Sequence, residues 1–223
     1  MPRRSLVATI ISCRQRSDTR EETAQQLRAV GLEPHIVLSP CDPRAPAAST
    51  QAAGSHGNAA ATAKALQHCL DLNADCLFCE DDLTLAPDFA QFLAMASRSR
   101  AVVWLCMLER PEKMALHYPA TVIASINAGE PMRRRLEPLA KLIQVRGSQC
   151  VYLPIEFLQE ARIGLLPGSG MPSDWFIPLE AKRLNWRAVA ALPNPVQHRH
   201  VRVARHTDRF EKKSRSYYLP RRE

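Results

Sequence analysis

The chain has 223 residues, 46% hydrophobic and 23% charged, which is enough apolar material for one compact domain and excludes a wholly disordered chain. Its 17 Pro and 8 Gly follow no three-residue period, which excludes a collagen-like fibre. Thirty Lys and Arg against 22 Asp and Glu leave a net charge of +8, a balance that points to anionic company such as nucleic acid, a phosphorylated metabolite or an acidic surface.

The basic start, Met1 to Ser5, precedes an apolar run of only Leu6 to Ile11, closed by Ser12, Cys13 and Arg14 without a small-residue cleavage pattern. No signal peptide is expected there, and no run approaches the ~20 apolar residues that span a bilayer. Leu6–Ser12 reads as a buried strand, Thr19–Val30 as a helix stopped by Gly31, and His35–Leu38 as a second strand. Ser39–Gly57, rich in Pro, Ala, Ser and Gly, reads as a long loop, after which Asn58 caps a helix to Leu72 with Ala61, Ala65, Leu66 and Cys69 inward.

Cys76–Cys79 is a third strand, and Glu80-Asp81-Asp82 sits at its carboxyl end. Pro87 and Asp88 open a helix to about Ala96, and Ala101–Leu108 is a fourth strand. Glu109–Gly147 reads as irregular, with a basic centre at Arg133-Arg134-Arg135. Gln149–Leu153 is a strand, Pro154–Arg162 a helix, Gly164–Pro172 a flexible stretch, and Ser173 caps a helix through Leu184. Arg187–Leu192 is the last strand, and the turn Pro193-Asn194-Pro195 leads to a basic end. Between His198 and Glu223 nine basic residues face three acidic ones, so +6 of the +8 lies there and the body is close to neutral.

Seven cysteines, several inside apolar runs (Cys76, Cys79, Cys106, Cys150), fit reduced thiols and a cytoplasmic setting better than a disulfide framework. The C-x-x-C of Cys76 and Cys79 has no second pair at zinc spacing, and in a strand its two thiols point to opposite faces.

Strands alternating with helices predict an α/β domain with a mostly parallel, Rossmann-like central sheet flanked by helices. Ligands in such sheets bind at the carboxyl ends of the strands. Three consecutive carboxylates at such an end repel one another unless a cation joins them, and hard oxygen donors suit Mg²⁺ or Mn²⁺ held together with phosphates. The plainer account is a solvated turn with helix-capping acids.

In this order of landmarks the chain resembles the GT-A class of nucleotide-sugar glycosyltransferases, and within it the lipopolysaccharide and collagen type that carries Glu-Asp-Asp. Gly54-Ser-His-Gly57-Asn58 with the following helix, Glu80-Asp81-Asp82, Ser173-Asp174-Trp175 and Pro195-Val-Gln-His198 match in sequence. In place of the family's Ser-His pair before the acidic motif the chain reads Ala60-Ala-Thr-Ala-Lys64. The resemblance implies a GT-A-like domain over residues 1–200, followed by a basic tail over 201–223. It further implies Mn²⁺ or Mg²⁺ held by Asp82 and His198, Glu80 near the donor ribose with Asp81 beside it, and Asp174 as the base or acceptor-holding group. The partners implied are a nucleotide-sugar donor and an acceptor hydroxyl, on a saccharide or on an anionic acceptor such as hydroxymethylated DNA.

Other residues earn attention by position. Ser12, Cys13 and Arg14 leave the first strand where a base and ribose would lie, and Arg14 is a candidate for stacking or a phosphate contact. Lys64 is either a phosphate contact or an ordinary helix lysine; Asp42 either binds the base or ribose or marks a turn. His56, Asn58 and Gln197 are neighbours of these motifs, Trp175 offers an aromatic face, and His200 competes with His198 for the metal. In the tail, Tyr217 and Tyr218 among arginines suit stacking on exposed bases. A metal-dependent nucleotidyltransferase and a non-catalytic nucleic-acid-binding module are the alternatives from other classes.

Overall fold

A computed structural model of the chain describes residues 5–39, 47–106, 120–121, 124, 133–139 and 149–198. Leu6–Ser12 forms β1, and a 3-10 turn at Arg14–Arg16 leads into α1, Ser17–Ala29, two residues earlier than the periodicity indicates. Gly31, at φ +82°, ends α1, with its N–H bonded to the Arg28 carbonyl and that of Leu32 to the Leu27 carbonyl, the double closure that favours glycine. Pro34–Leu38 is β2.

The expected loop Ser39–Gly57 is corrected over its second half: α2 spans Ala47–Asp71, so Gly54, Gly57 and Asn58 are helix-interior positions and Asn58 is not a cap. Nine alanines among these 25 residues supply helix propensity that outweighs the roughly 1 kcal/mol cost of each glycine. Asp75–Glu80 is β3, Leu83–Leu85 β4, Phe89–Ser99 α3 and Val102–Trp104 β5. Arg135–Pro138 is β6, a four-residue strand within the stretch expected to be irregular. Cys150–Leu153 is β7, Ile155–Glu160 α4 and Ser173–Arg183 α6, with Pro172 rather than Ser173 as the residue before its first turn. The stretch expected to be flexible, Gly164–Pro172, contains most of a 3-10 turn, Ile163–Leu165, and a short helix α5, Leu166–Ser169. Ala188–Leu192 is β8, and Val196–His198, expected to lie beyond the last strand, is β9.

The central sheet has seven strands in the order β2-β1-β3-β7-β5-β8-β6. It is mixed, not purely parallel: β7 runs antiparallel to both β3 and β5, and β6 antiparallel to β8, while β1 pairs in parallel with β2 and β3, and β5 with β8. A separate pair, β4 with β9, sets Leu83 opposite His198. Helices cover both faces. Ala61, Ala65, Leu66 and Cys69 of α2 pack with α4, α5 and α6 on one face; Leu27 of α1 and Phe89 and Phe92 of α3 pack on the other. Each large side chain so buried contributes about 1.5–3 kcal/mol. Cys76 and Cys79 divide between the two faces, as alternation along a strand requires. No helix among the described residues is long and apolar enough to cross a membrane.

One buried ionic lock fixes α6. Glu180, 2% exposed, accepts hydrogen bonds from Arg162 Nη2 at 2.7 Å, from the Arg162 backbone N–H at 2.9 Å and from Arg183 Nη2 at 2.7 Å. Burial pushes this carboxyl up, but the bonds from Arg183 and Arg162 prevail and hold it at about 2. A carboxyl depressed on folding stabilises the fold above its unfolded pKa and ceases to do so as pH falls through the folded value. Glu180→Gln is therefore expected to cost up to about 3 kcal/mol at neutral pH. The gap in urea midpoint between wild type and variant should narrow as pH falls from about 5 toward 2; a gap independent of pH would contradict the assignment.

Candidate functional site

The strand order turns at β1, with β2 on one side and β3 on the other, so the carboxyl ends of β1 and β3 open a crevice. Ile11 lies opposite Glu80 in that pair. Beyond it the chain leaves β3 through Asp81 and Asp82, which are 1% and 4% exposed. Two adjacent buried carboxylates are costly without a counter-charge. Arg16, from the turn after β1, supplies it: Nη1 meets Asp81 Oδ1 at 2.8 Å and Nη2 donates to Asp82 Oδ2. Ser12, the last residue of β1, donates its Oγ–H to Asp81 Oδ2 at 2.5 Å.

α1 fastens the same segment from behind. Thr23 Oγ1 donates to the Asp81 carbonyl at 2.9 Å and accepts from the Leu83 N–H at 3.2 Å, and Gln26 Oε1 accepts from the Leu85 N–H at 2.7 Å. Burial pushes the Asp81 carboxyl up from its usual value, more than Arg16 and Ser12 pull it down. Burial would lower the Arg16 pKa, but the charges of Asp82 and then Asp81 hold it above the usual arginine value. One guanidinium meeting two carboxylates through separate nitrogens is a charge-assisted pairing suited to arginine.

In front of this cluster lies a cavity of about 180 Å³ lined by Ile11, Ser12, Cys13, Arg16, Ser39, Asn58, Glu80 and Asp81. That is below the ~300–1,000 Å³ of drug-sized sites, room for a small fragment of a ligand rather than a whole drug-sized molecule. Asn58 reaches it from the middle of α2, and its Oδ1 accepts the Ser173 N–H at 3.3 Å. That bond joins the cavity wall to the first turn of α6, where Asp174 is half-buried and Trp175 is 57% exposed.

Of the residues singled out by sequence, Ser12, Cys13, Asn58, Glu80 and Asp81 line the cavity, and Asp82 adjoins it through Arg16. Arg14 is exposed, and its expected place is taken by Arg16 two residues later. Spacing alone does not separate Arg14, Arg16 and Arg20; the signal for a resident arginine was the acidic run itself, which needed a nearby base. Lys64 is exposed on α2 and lines no part of the cavity. The backbone of His198 is set by β9 opposite Leu83, the first residue of β4 and the one after Asp82; the His198 side chain lies outside the described atoms. Gln197 pairs with Thr84. Asp42, His200, Tyr217, Tyr218 and the tail lie outside the described residues, as does the side chain of His56.

The oxygens of Asp81 and Asp82 fit a hard divalent cation in kind. Their arrangement is built around a cation already, the Arg16 fork, so a metal at Asp82 competes with that arginine. Among the described residues no three His, Cys, Asp or Glu side chains converge as a metal-holding group. The sequence matches no protein-family model and no curated protein.

Removing Arg16 strands two buried carboxylates. Arg16→Ala is expected to lower stability by roughly 2–4 kcal/mol, and adding Asp81→Asn and Asp82→Asn to it should restore part of the loss. Denaturant melts of the single and triple variants check this; an Arg16→Ala protein as stable as wild type would remove Arg16 from its role as counter-charge.

Proposed function

We propose that the chain transfers a sugar from a nucleotide-diphosphate donor to an acceptor hydroxyl, with the donor held in the crevice between β1 and β3. The observation that carries this reading is the join through Asn58: one side chain links the cavity containing Ser12, Glu80 and Asp81 to the turn bearing Asp174 and Trp175. The cavity and a carboxylate beside an exposed aromatic face thus lie near each other, an arrangement that supports a donor pocket next to an acceptor site. Aromatic faces are good platforms for apolar sugar surfaces, and a carboxylate in reach of an acceptor hydroxyl is a general base.

In an inverting transfer the acceptor O–H gives its proton to Asp174 while its oxygen bonds to the anomeric carbon. The bond from that carbon to the β-phosphate oxygen breaks, and the nucleoside diphosphate leaves with the electron pair. Ser12 and Glu80 present hydrogen-bonding groups to the nucleoside end, and Asn58 fixes the distance between donor cavity and α6. Asp82, with Asp81 beside it and β9 alongside, would hold Mn²⁺ or Mg²⁺, which when bound supplies charge neutralisation to the leaving diphosphate. Arg16 would then release Asp82 and face the cavity it already lines.

Thermal melting with UDP, GDP and CDP and their hexose conjugates, with and without Mn²⁺, tests the reading. A metal-dependent stabilisation is expected for at least one conjugate, absent in Asp82→Asn. Asp174→Asn should keep donor binding and lose about 10²–10⁴-fold in turnover. No response to any conjugate from a folded wild-type protein would sink the proposal.

A further inference from the structure

Gln149 stands just before β7, at the start of the stretch whose sequence marks a strand. Its carbonyl accepts the Glu80 N–H at 2.7 Å, which makes the two residues cross-strand neighbours. Alternation along β7 turns Val151 and Leu153, and with them Gln149, toward the face covered by α2 and α6; the same rule along β3 turns Phe78 and Glu80 to that face. Glu80 and Gln149 therefore stand side by side at the sheet's end, under the helices that carry Asn58 and Asp174; Glu80 lines the cavity, and Gln149 is its neighbour just outside that lining.

Gln149 is 8% exposed, and its carboxamide oxygen has no hydrogen-bond partner among the described residues. Buried side-chain acceptors are nearly always paired, because water is lost without replacement. The other orphan on this face, the Trp104 indole N–H, lies deeper, at the level of Val151, and is fully enclosed. Gln149 alone of the two sits at the end of the sheet where ligands of α/β folds bind.

We infer that the Gln149 carboxamide is a specificity-determining contact for a hydroxyl of the sugar, which extends from the cavity past Glu80 toward Asp174. The inference rests on the glycosyl-transfer reading and adds to it which side chain reads the transferred group. The chemistry selects a hydroxyl over a phosphate. An amide oxygen takes only a donor, and phosphate oxygens only accept; turned over, the amide would offer an NH₂ that a phosphate oxygen accepts, and against that orientation stands the repulsion of an anion by Glu80. A hydroxyl both donates and accepts, so it satisfies either orientation. The neighbouring Glu80 carboxylate further disfavours an anion at this spot.

Calorimetric titration of the full chain with UDP, GDP and their hexose conjugates in Mn²⁺, for wild type and Gln149→Met, separates the contributions. The variant is expected to bind the nucleoside diphosphate within about twofold of wild type and the conjugate at least about tenfold more weakly. Its ligand-free Tm should equal or exceed that of wild type, because an unpaired buried amide has been replaced by an apolar group of similar size. A variant that binds the conjugate as wild type does overturns the inference, whatever its Tm. Should Gln149→Met fail to fold, Gln149→Asn, which keeps the amide and withdraws it by one methylene, must show the same selective loss. If wild type binds neither ligand, the glycosyl-transfer reading falls and takes this inference with it; if wild type binds both and the variants match it, only the role of Gln149 falls.

Discussion

Two carboxylates buried side by side at the end of β3 set the terms for everything around them. Their neutralisation requires a guanidinium within a few ångströms, which fixes the turn after β1 so that Arg16 faces across the strand pair. The same requirement draws in Ser12 from β1 and, through the backbone on either side of Asp82, Thr23 and Gln26 from α1. The exits of two adjacent parallel strands are thus tied by charge and hydrogen bonds, and the crevice between them inherits a fixed floor. A fold lacking this pairing would have either a frayed β3 terminus or carboxylates driven toward the neutral form.

The mixed sheet contributes a second constraint. A parallel strand brings its carboxyl end to the crevice, whereas antiparallel β7 brings its beginning. Gln149 comes to that end of the sheet for this reason, entering ahead of its strand and beside Glu80. The short β4–β9 pair works similarly at the other flank, returning the chain after β8 to a position next to Asp82. Residues far apart in sequence converge at one sheet end because β7 runs against β3 and β5, and because β9 folds back on β4 in a pair of its own.

Most of the fold was legible where burial imposes a long pattern. The apolar runs of β1, β3 and β8 and the inward face of α2 appear at their expected positions because a continuous apolar segment has few alternatives. Three-residue strands such as β4 and β9 carry too little periodicity to be read, and β6, with Arg135, Glu137 and Pro138, has the charged, proline-bearing character of an edge strand rather than a core one. The glycines at 54 and 57 suggested a loop, yet the surrounding alanines made a helix of it. In the site, Ser12, Asn58, Glu80 and Asp81 were legible because strand ends are where ligands bind. Arg16 and Gln149 were not: the choice among three arginines depends on a turn geometry, and the burial of Gln149 depends on a partner strand 69 residues earlier.

The charge of the site argues for more than one cation. Glu80, Asp81 and Asp82 with Arg16 alone leave a formal charge of −2 at the mouth of a crevice that, on the reading favoured here, receives a diphosphate. Two like charges confined to a few ångströms of partly dry protein repel by several kcal/mol, so Arg16 cannot by itself make the crevice attractive to such a ligand. Six of the eight units of net positive charge lie after His198 in the sequence, and β9 sets His198 opposite Leu83, the residue after Asp82. Arg20, whose Nη1 donates to the Cys13 carbonyl at 3.2 Å and to Ser12 Oγ at 3.4 Å, brings one more positive charge to the cavity wall, and on the proposed function a divalent ion at Asp82 would supply the rest of the neutralisation.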